Sequence, residues 1–199
     1  MNLPAYQSVL TPEEYLEGET RSEIRHEYVN GEVYAMSGAS EAHNLIAGNL
    51  FVLLRNHLRG TPCRVFISDM KTRIKSLRDE RYYYPDIQVT CAPEDREPYF
   101  KQRPKLVIEV LSPSTERSDR AEKLSAYRKL ESLEEYVLVA QDARRVEIYR
   151  RESGWDLELH QEDAGFRLTS VGLELRLDQV YEDVEIAPPP RDPFSNGEG

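Results

Sequence analysis

The chain has 199 residues, a formal net charge of −10, and a composition that is 39% hydrophobic and 31% charged. That is enough chain for one domain with a real core, and the acidic balance excludes a surface coated in positive charge for nucleic acid. No apolar run approaches the ~18 residues that span a bilayer. The start, Met1-Asn2-Leu3-Pro4-Ala5-Tyr6, lacks the basic and apolar parts of a secretion signal, so a cytoplasmic protein without a membrane partner is expected. Cys63 and Cys91 stand apart, each near an apolar run. Buried, reduced thiols are the favoured reading over a disulfide or a zinc site.

In chain order, Thr11-Pro12-Glu13-Glu14 predicts a helix start, with Thr11 as N-cap, Pro12 at the first helical position and Glu14 completing a capping box. Asn30-Gly31 between two alternating runs (26–36) predicts a two-residue hairpin. Leu45, Ile46, Leu50, Leu53, Leu54 and Leu58 recur at helical spacing, so 40–59 reads as a long amphipathic helix stopped by Gly60-Thr61-Pro62. Residues 63–75 read as a strand or a bent pair of strands, and 76–81 as a charged turn. Between Arg55 and Arg81 eight Lys or Arg face only Asp69, Asp79 and Glu80; this is either a local basic patch or a solvated strand surface. Two short apolar runs follow, 82–90 and 105–111, bounded by Pro and polar breakers. A helix is expected from about Ser118 to Leu130, with Ala121, Leu124, Tyr127 and Leu130 as its apolar stripe. Strands at 137–140 and 146–150, β-hairpins over 154–176 and a short helix near Leu177–Tyr181 complete the reading. Residues 187–199 have the composition of a disordered tail. The order implies a mixed sheet with helices on its faces. The second apolar run and the strand at 136–140, joined by a helical crossover, should be parallel.

The two apolar runs each carry a carboxylate, Asp86 and Glu109. A charge inside such a run is costly unless it is paired or binds a cation. Mg²⁺ or Mn²⁺ takes hard oxygen ligands, with water and substrate phosphate completing the shell. Glu109 shares its strand face with Val107 and Leu111, so it must lie near a sheet end, as the break at Pro113 suggests. Lys123 on the next helix could orient water or neutralise a phosphate; equally, it stands four residues after Asp119, the spacing of a weak surface ion pair. Together these residues point to a metal-dependent phosphodiesterase, a nuclease above all.

The ordered set Tyr84-Pro85-Asp86-Ile87, Val107-Ile108-Glu109-Val110-Leu111-Ser112-Pro113-Ser114-Thr115, 119–127 and 134–139 resembles the Uma2 family, as do 27–37 and His43. The resemblance covers most of residues 10–185. It implies the restriction-endonuclease-like fold of the PD-(D/E)xK superfamily, as a single α/β domain over 1–186 with flanking helices and extra C-terminal β-hairpins. It makes Asp86 and Glu109 the metal-binding acids. The superfamily's lysine usually stands two residues after the second acid, where this chain has Leu111; the matching basic residue in Uma2-like sequences is Lys123. Glu27 could be a further acid near the metal, or a strand-edge residue paired with Arg25 or His26. His43 could activate water, or cap the long helix.

The expected activity is hydrolysis of DNA by a Mg²⁺- or Mn²⁺-dependent endonuclease acting as a homodimer. The alternative is an inactive nucleic-acid- or protein-binding module on the same fold. A third reading is self-association through exposed Tyr82, Tyr83 and Tyr84, although core packing or substrate contact would explain them equally well.

Overall fold

The computed structural model describes residues 10–36, 38–77, 79–113, 115–162 and 164–186; the expected tail lies outside them. Helix α1 (Pro12–Glu19) starts as its sequence dictates. The Thr11 hydroxyl accepts the Glu14 N–H at 3.2 Å, and the Glu14 carboxylate accepts the Thr11 N–H at 2.8 Å. Strands β1 (His26–Val29) and β2 (Glu32–Ala35) form the predicted hairpin. Asn30 and Gly31 take φ of 50° and 102° at its turn, the left-handed pair a two-residue connection needs. Helix α2 (Glu41–His57) buries Ile46, Ala47, Leu50 and Leu54.

Next come β3 (Arg64–Ile67), β4 (Lys71–Ser76) and β5 (Asp79–Tyr83). The charged turn expected over 76–81 is mostly strand, because Ser76 already pairs with Asp79 and the ladder continues to Thr72 and Tyr83. The charges are neutralised within the hairpin, Arg73 and Lys75 on Glu80 and Arg81 on Asp79. Three of the eight basic residues of the stretch are thus paired within it.

Strands β6 (Ile87–Thr90), β7 (Phe100–Lys101) and β8 (Leu106–Leu111) lead to a helix, α3 (116–127). Strands β9 (Glu135–Ala140), β10 (Arg145–Arg150), β11 (Leu157–Gln161), β12 (Gly165–Leu168) and β13 (Leu173–Arg176) then precede α4 (Leu177–Val180). The strands divide into two larger sheets, β2-β1-β5-β4-β7 and β11-β10-β9-β8-β6-β3, and the hairpin β12-β13. Strands β8 and β9 are parallel, as the crossover through α3 requires.

The six-stranded sheet is covered on both faces, which is why its central strands read as unbroken apolar runs. On one face α2 packs over Ile87, Val89, Ile108, Val137 and Val139. On the other, Val107, Leu111, Tyr136 and Leu138 meet Tyr127 and Leu133. Tyr82, Tyr83 and Tyr84 are buried, which removes the exposed-tyrosine interface. Tyr82 packs on Tyr15, Tyr28 and Phe100, and Tyr83 on Tyr127. The cysteines also differ from expectation, being joined in a disulfide with their Cα atoms 3.9 Å apart. The cause is register: Arg64 pairs with Thr90, so one step further along the two strands Cys63 and Cys91 face each other.

Candidate functional site

Tyr84 and Pro85 carry the chain out of the smaller sheet, and Asp86 arrives at the first position before the β6 ladder. Because Ile87 pairs with Ile108, Asp86 stands opposite Glu109. The pair is tied across the strands: Asp86 Oδ2 accepts the Val110 N–H at 2.7 Å, and the Asp86 N–H points to Glu109 Oε2 at 3.4 Å. The alternation of β8 turns Glu109 toward α3, where it is 3% exposed.

Helix α3 is not regular. Glu116–Ser118 and Leu124–Tyr127 are α-helical, and Asp119–Lys123 between them forms a π turn. There the Leu124 N–H reaches back to the Asp119 carbonyl, which also accepts the Tyr136 hydroxyl at 3.1 Å. The inner face accordingly holds Asp119 and Lys123 with Ala126, Tyr127 and Leu130, whereas Ala121, expected on the apolar stripe, is exposed. The Asp119–Lys123 pair is thus no surface ion pair: the two residues are 1% and 6% exposed. Lys123 Nζ lies 3.0 Å from Glu27, 3.2 Å from Asp119 Oδ1 and 3.5 Å from Glu109 Oε1. The Tyr127 hydroxyl donates to Glu109 Oε1 at 3.3 Å.

Glu27 and His43 join the same cluster. Glu27, on β1, binds Lys123 and accepts the Tyr84 N–H at 3.3 Å, while the alternative partners are taken elsewhere, His26 on Glu19 and Arg25 on Asp69. The N-cap of α2 is Ser40, whose hydroxyl accepts the His43 N–H. This leaves the His43 ring free to approach Asp86 Oδ2 at 3.2 Å.

Three carboxylates (Glu27, Glu109, Asp119) therefore surround one ammonium group, and Asp86 joins the cluster beside Glu109. Burial pushes the Glu109 carboxyl well above its ordinary range; Lys123 opposes this, and Asp119, Asp86 and Glu27 push it further. Burial works against the charge on Lys123, but Glu109, Glu27 and Asp119 hold its proton on. At His43 burial works against the charge but is outweighed by the Asp86 hydrogen bond and charge together with Val110 and Asp119, which raise the imidazole. One Asp119 oxygen, Oδ1, has no hydrogen-bond partner among the described residues despite its proximity to Lys123.

This donor set fits a divalent cation of the hard, oxygen-seeking kind. Negative charge is in excess, it is buried, and one carboxylate oxygen lacks a hydrogen. Among the described residues no three His, Cys, Asp or Glu side chains are already gathered as a closed metal cage. The fit is to an open site, in which Asp86 and Glu109 would supply two ligands and water and phosphate the rest. The cluster lies at the floor of a cleft of about 600 Å³, walled by the end of β2, the first turns of α2 and the loops after β3 and β8.

Sequence reasoning assembled Asp86, Glu109, Lys123, Glu27 and His43, and the structure brings all five together. It missed Asp119 as a member of the cluster and Tyr127 as the hydroxyl on Glu109. The i, i+4 spacing of Asp119, Lys123 and Tyr127 was visible, but not the face on which it lay.

The family model described as "Uma2: Putative restriction endonuclease" matches residues 12–180. Two uncharacterised proteins of Synechocystis sp. are similar: slr1290 is 39% identical, covering 86% of this chain and 91% of its own length, and sll1609 is 34% identical, covering 76% and 86%. The crystal structure of "a putative nuclease belonging to DUF820" from Anabaena variabilis superposes with a TM-score of 0.71 at 20% identity. That match spans 86% of this chain and 97% of the other.

Proposed function

This chain belongs to the Uma2 family, and from that premise we propose that it is a Mg²⁺- or Mn²⁺-dependent endonuclease hydrolysing phosphodiester bonds of DNA. The observation that carries the reading is the cluster of three carboxylates around one buried lysine, with Asp86 set opposite Glu109, at the end of the six-stranded sheet. Asp86 and Glu109 would hold the metal. When bound, such an ion lowers the pKa of a coordinated water and offsets charge on the phosphate.

The chain's own groups do the rest. Lys123 is kept protonated by its three acidic neighbours, so it can donate to a phosphate oxygen or orient the water. Glu27 fixes the direction of that ammonium at 3.0 Å. Tyr127 fixes one oxygen of Glu109, leaving the other toward Asp86. His43 restrains Asp86 from the opposite wall. Action in the cytoplasm and as a homodimer belong to the same proposal; gel filtration tests the latter.

The test is cleavage of supercoiled plasmid and single-stranded DNA with Mg²⁺ or Mn²⁺, run beside Glu109→Gln. Cleavage that needs the metal and is lost in the variant supports the reading. Equal cleavage by both proteins, or none by either, overturns it, and the second outcome moves weight to a binding module on the same fold.

A further inference from the structure

Tyr34 is one of the few large side chains that the fold leaves in solvent. Most other tyrosines of the described chain are packed into cores or hold a hydrogen bond inside them, whereas Tyr34 is 51% exposed and no ring of the described residues stacks on it. It sits on β2, the outer strand of its sheet. Its position is not arbitrary: Tyr34 is the direct cross-strand partner of Glu27. Directly opposed residues of an antiparallel pair project to the same face, with Cβ atoms ~5 Å apart. Glu27 is the acid that holds Lys123, so Tyr34 stands one strand spacing from the acid cluster. Met36 follows two residues later on the same side and is also exposed. Both line the cleft.

The walls of the cleft carry almost no positive charge. Lys123 is the sole Lys or Arg among the described lining residues, and it is buried and held by three carboxylates. Arg25, joined to Met36 through the sheet, is paired with Asp69 at 2.8 Å. A duplex is held mainly by Lys and Arg along its phosphates, and its base faces are hidden by stacking and pairing. An unpaired strand also carries phosphates, but it offers open base faces on which an aromatic side chain can stack, a contact that a duplex withholds.

Resting on the nuclease reading above, we infer that the cleft takes an unpaired stretch of DNA, with the scissile phosphate over Asp86 and Glu109 and the neighbouring base laid on Tyr34 and Met36. Tyr34 is then a specificity-determining residue that selects single-stranded or locally opened DNA over duplex.

The experiment is binding, separate from cleavage. A short labelled single-stranded oligonucleotide and its duplex are titrated with the full chain in Ca²⁺ in place of Mg²⁺, a hard cation that takes the same oxygen ligands, with 2-aminopurine replacing successive bases. The single strand is expected to bind at least ten-fold more tightly than the duplex. Tyr34→Ala should weaken it by roughly ten-fold and abolish 2-aminopurine quenching, and Tyr34→Trp should restore both. Equal affinity for the two forms, or a Tyr34→Ala protein that binds and quenches like the wild type, overturns the inference. The two proposals fail separately: a protein that cuts DNA with Tyr34 irrelevant sinks only this subsite. One that binds single strands through Tyr34 yet never cleaves sinks only the nuclease reading.

Discussion

At Glu109 the requirements of folding and of chemistry oppose each other. The side chain is 3% exposed among Val107, Leu111 and Tyr127, and two other acids, Glu27 and Asp119, crowd the same lysine. A buried charge that is only partly compensated lowers stability, so the residue is one that folding alone would not choose. Glu109→Gln should raise the stability of the metal-free protein by about 1 kcal/mol, the usual sign when a functional charge is removed. The sign with pH follows from the raised carboxyl. Below its ordinary value of 4.5, Glu109 is protonated in both folded and unfolded chains and the substitution changes little. As pH rises above that value the unfolded chain ionises while the folded chain resists, so the gain from Glu109→Gln grows. Mg²⁺ should act oppositely, stabilising the wild type by about 2.7 kcal/mol at a hundred times its Kd and leaving the variant's midpoint in place. Thermal unfolding of both proteins in EDTA and in Mg²⁺ reads all of this, and a variant that melts well below the wild type in EDTA would show that Glu109 is not strained.

The element that brings Lys123 to Glu109 is the π turn in α3, and its support comes from another element. The Asp119 carbonyl takes two donors, Leu124 N–H from its own helix and the Tyr136 hydroxyl from β9. π turns are uncommon and tend to mark functional positions. Tyr136→Phe removes one donor while keeping the ring that packs against Tyr127. It should cost about 1 kcal/mol of stability and lower kcat several-fold with KM unchanged, since the hydroxyl touches no substrate. A KM effect of the same size would place Tyr136 in binding instead. The same element marks the limit of what the sequence discloses. The capping box at Thr11, the Asn30-Gly31 hairpin, the stripe of α2 and the parallel β8–β9 pair were legible because each is encoded by neighbours in the chain. The facing of Asp86 and Glu109 was half legible, since both strands were visible but their register was not. The inner face of α3 was misread at Ala121 because one residue inserted into a helical turn rotates everything beyond it, and no local propensity announces the insertion. Asp119 was overlooked for that reason.

Across the whole molecule, the acid cluster and the Cys63–Cys91 bond belong to opposite ends of the same layer. Helix α2 has 17 residues and so is about 25 Å long; its first turn carries His43 into the cluster, and beyond its last turn the chain enters β3 at Cys63. The disulfide joins the start of β3 to the end of β6, closing a span of 28 residues, whereas Asp86 lies at the other end of β6. Constraining a loop of that length in the unfolded chain contributes about 3.6 kcal/mol. Neither cysteine lines the cleft, although the closed loop carries Ile67, Ser68, Tyr84 and Asp86 into it. Reduction with a phosphine, or the paired change of Cys63 and Cys91 to serine, should therefore lower the unfolding midpoint while leaving the rate of metal-dependent DNA cleavage within about two-fold at temperatures where the reduced protein is still folded, a local perturbation at a distant site being additive with, not coupled to, the cluster. Thiol titration before and after reduction fixes the redox state in each assay. If reduction abolishes cleavage in protein that is still folded, the two ends of β6 are coupled, and α2 or β6 must carry the change to Asp86.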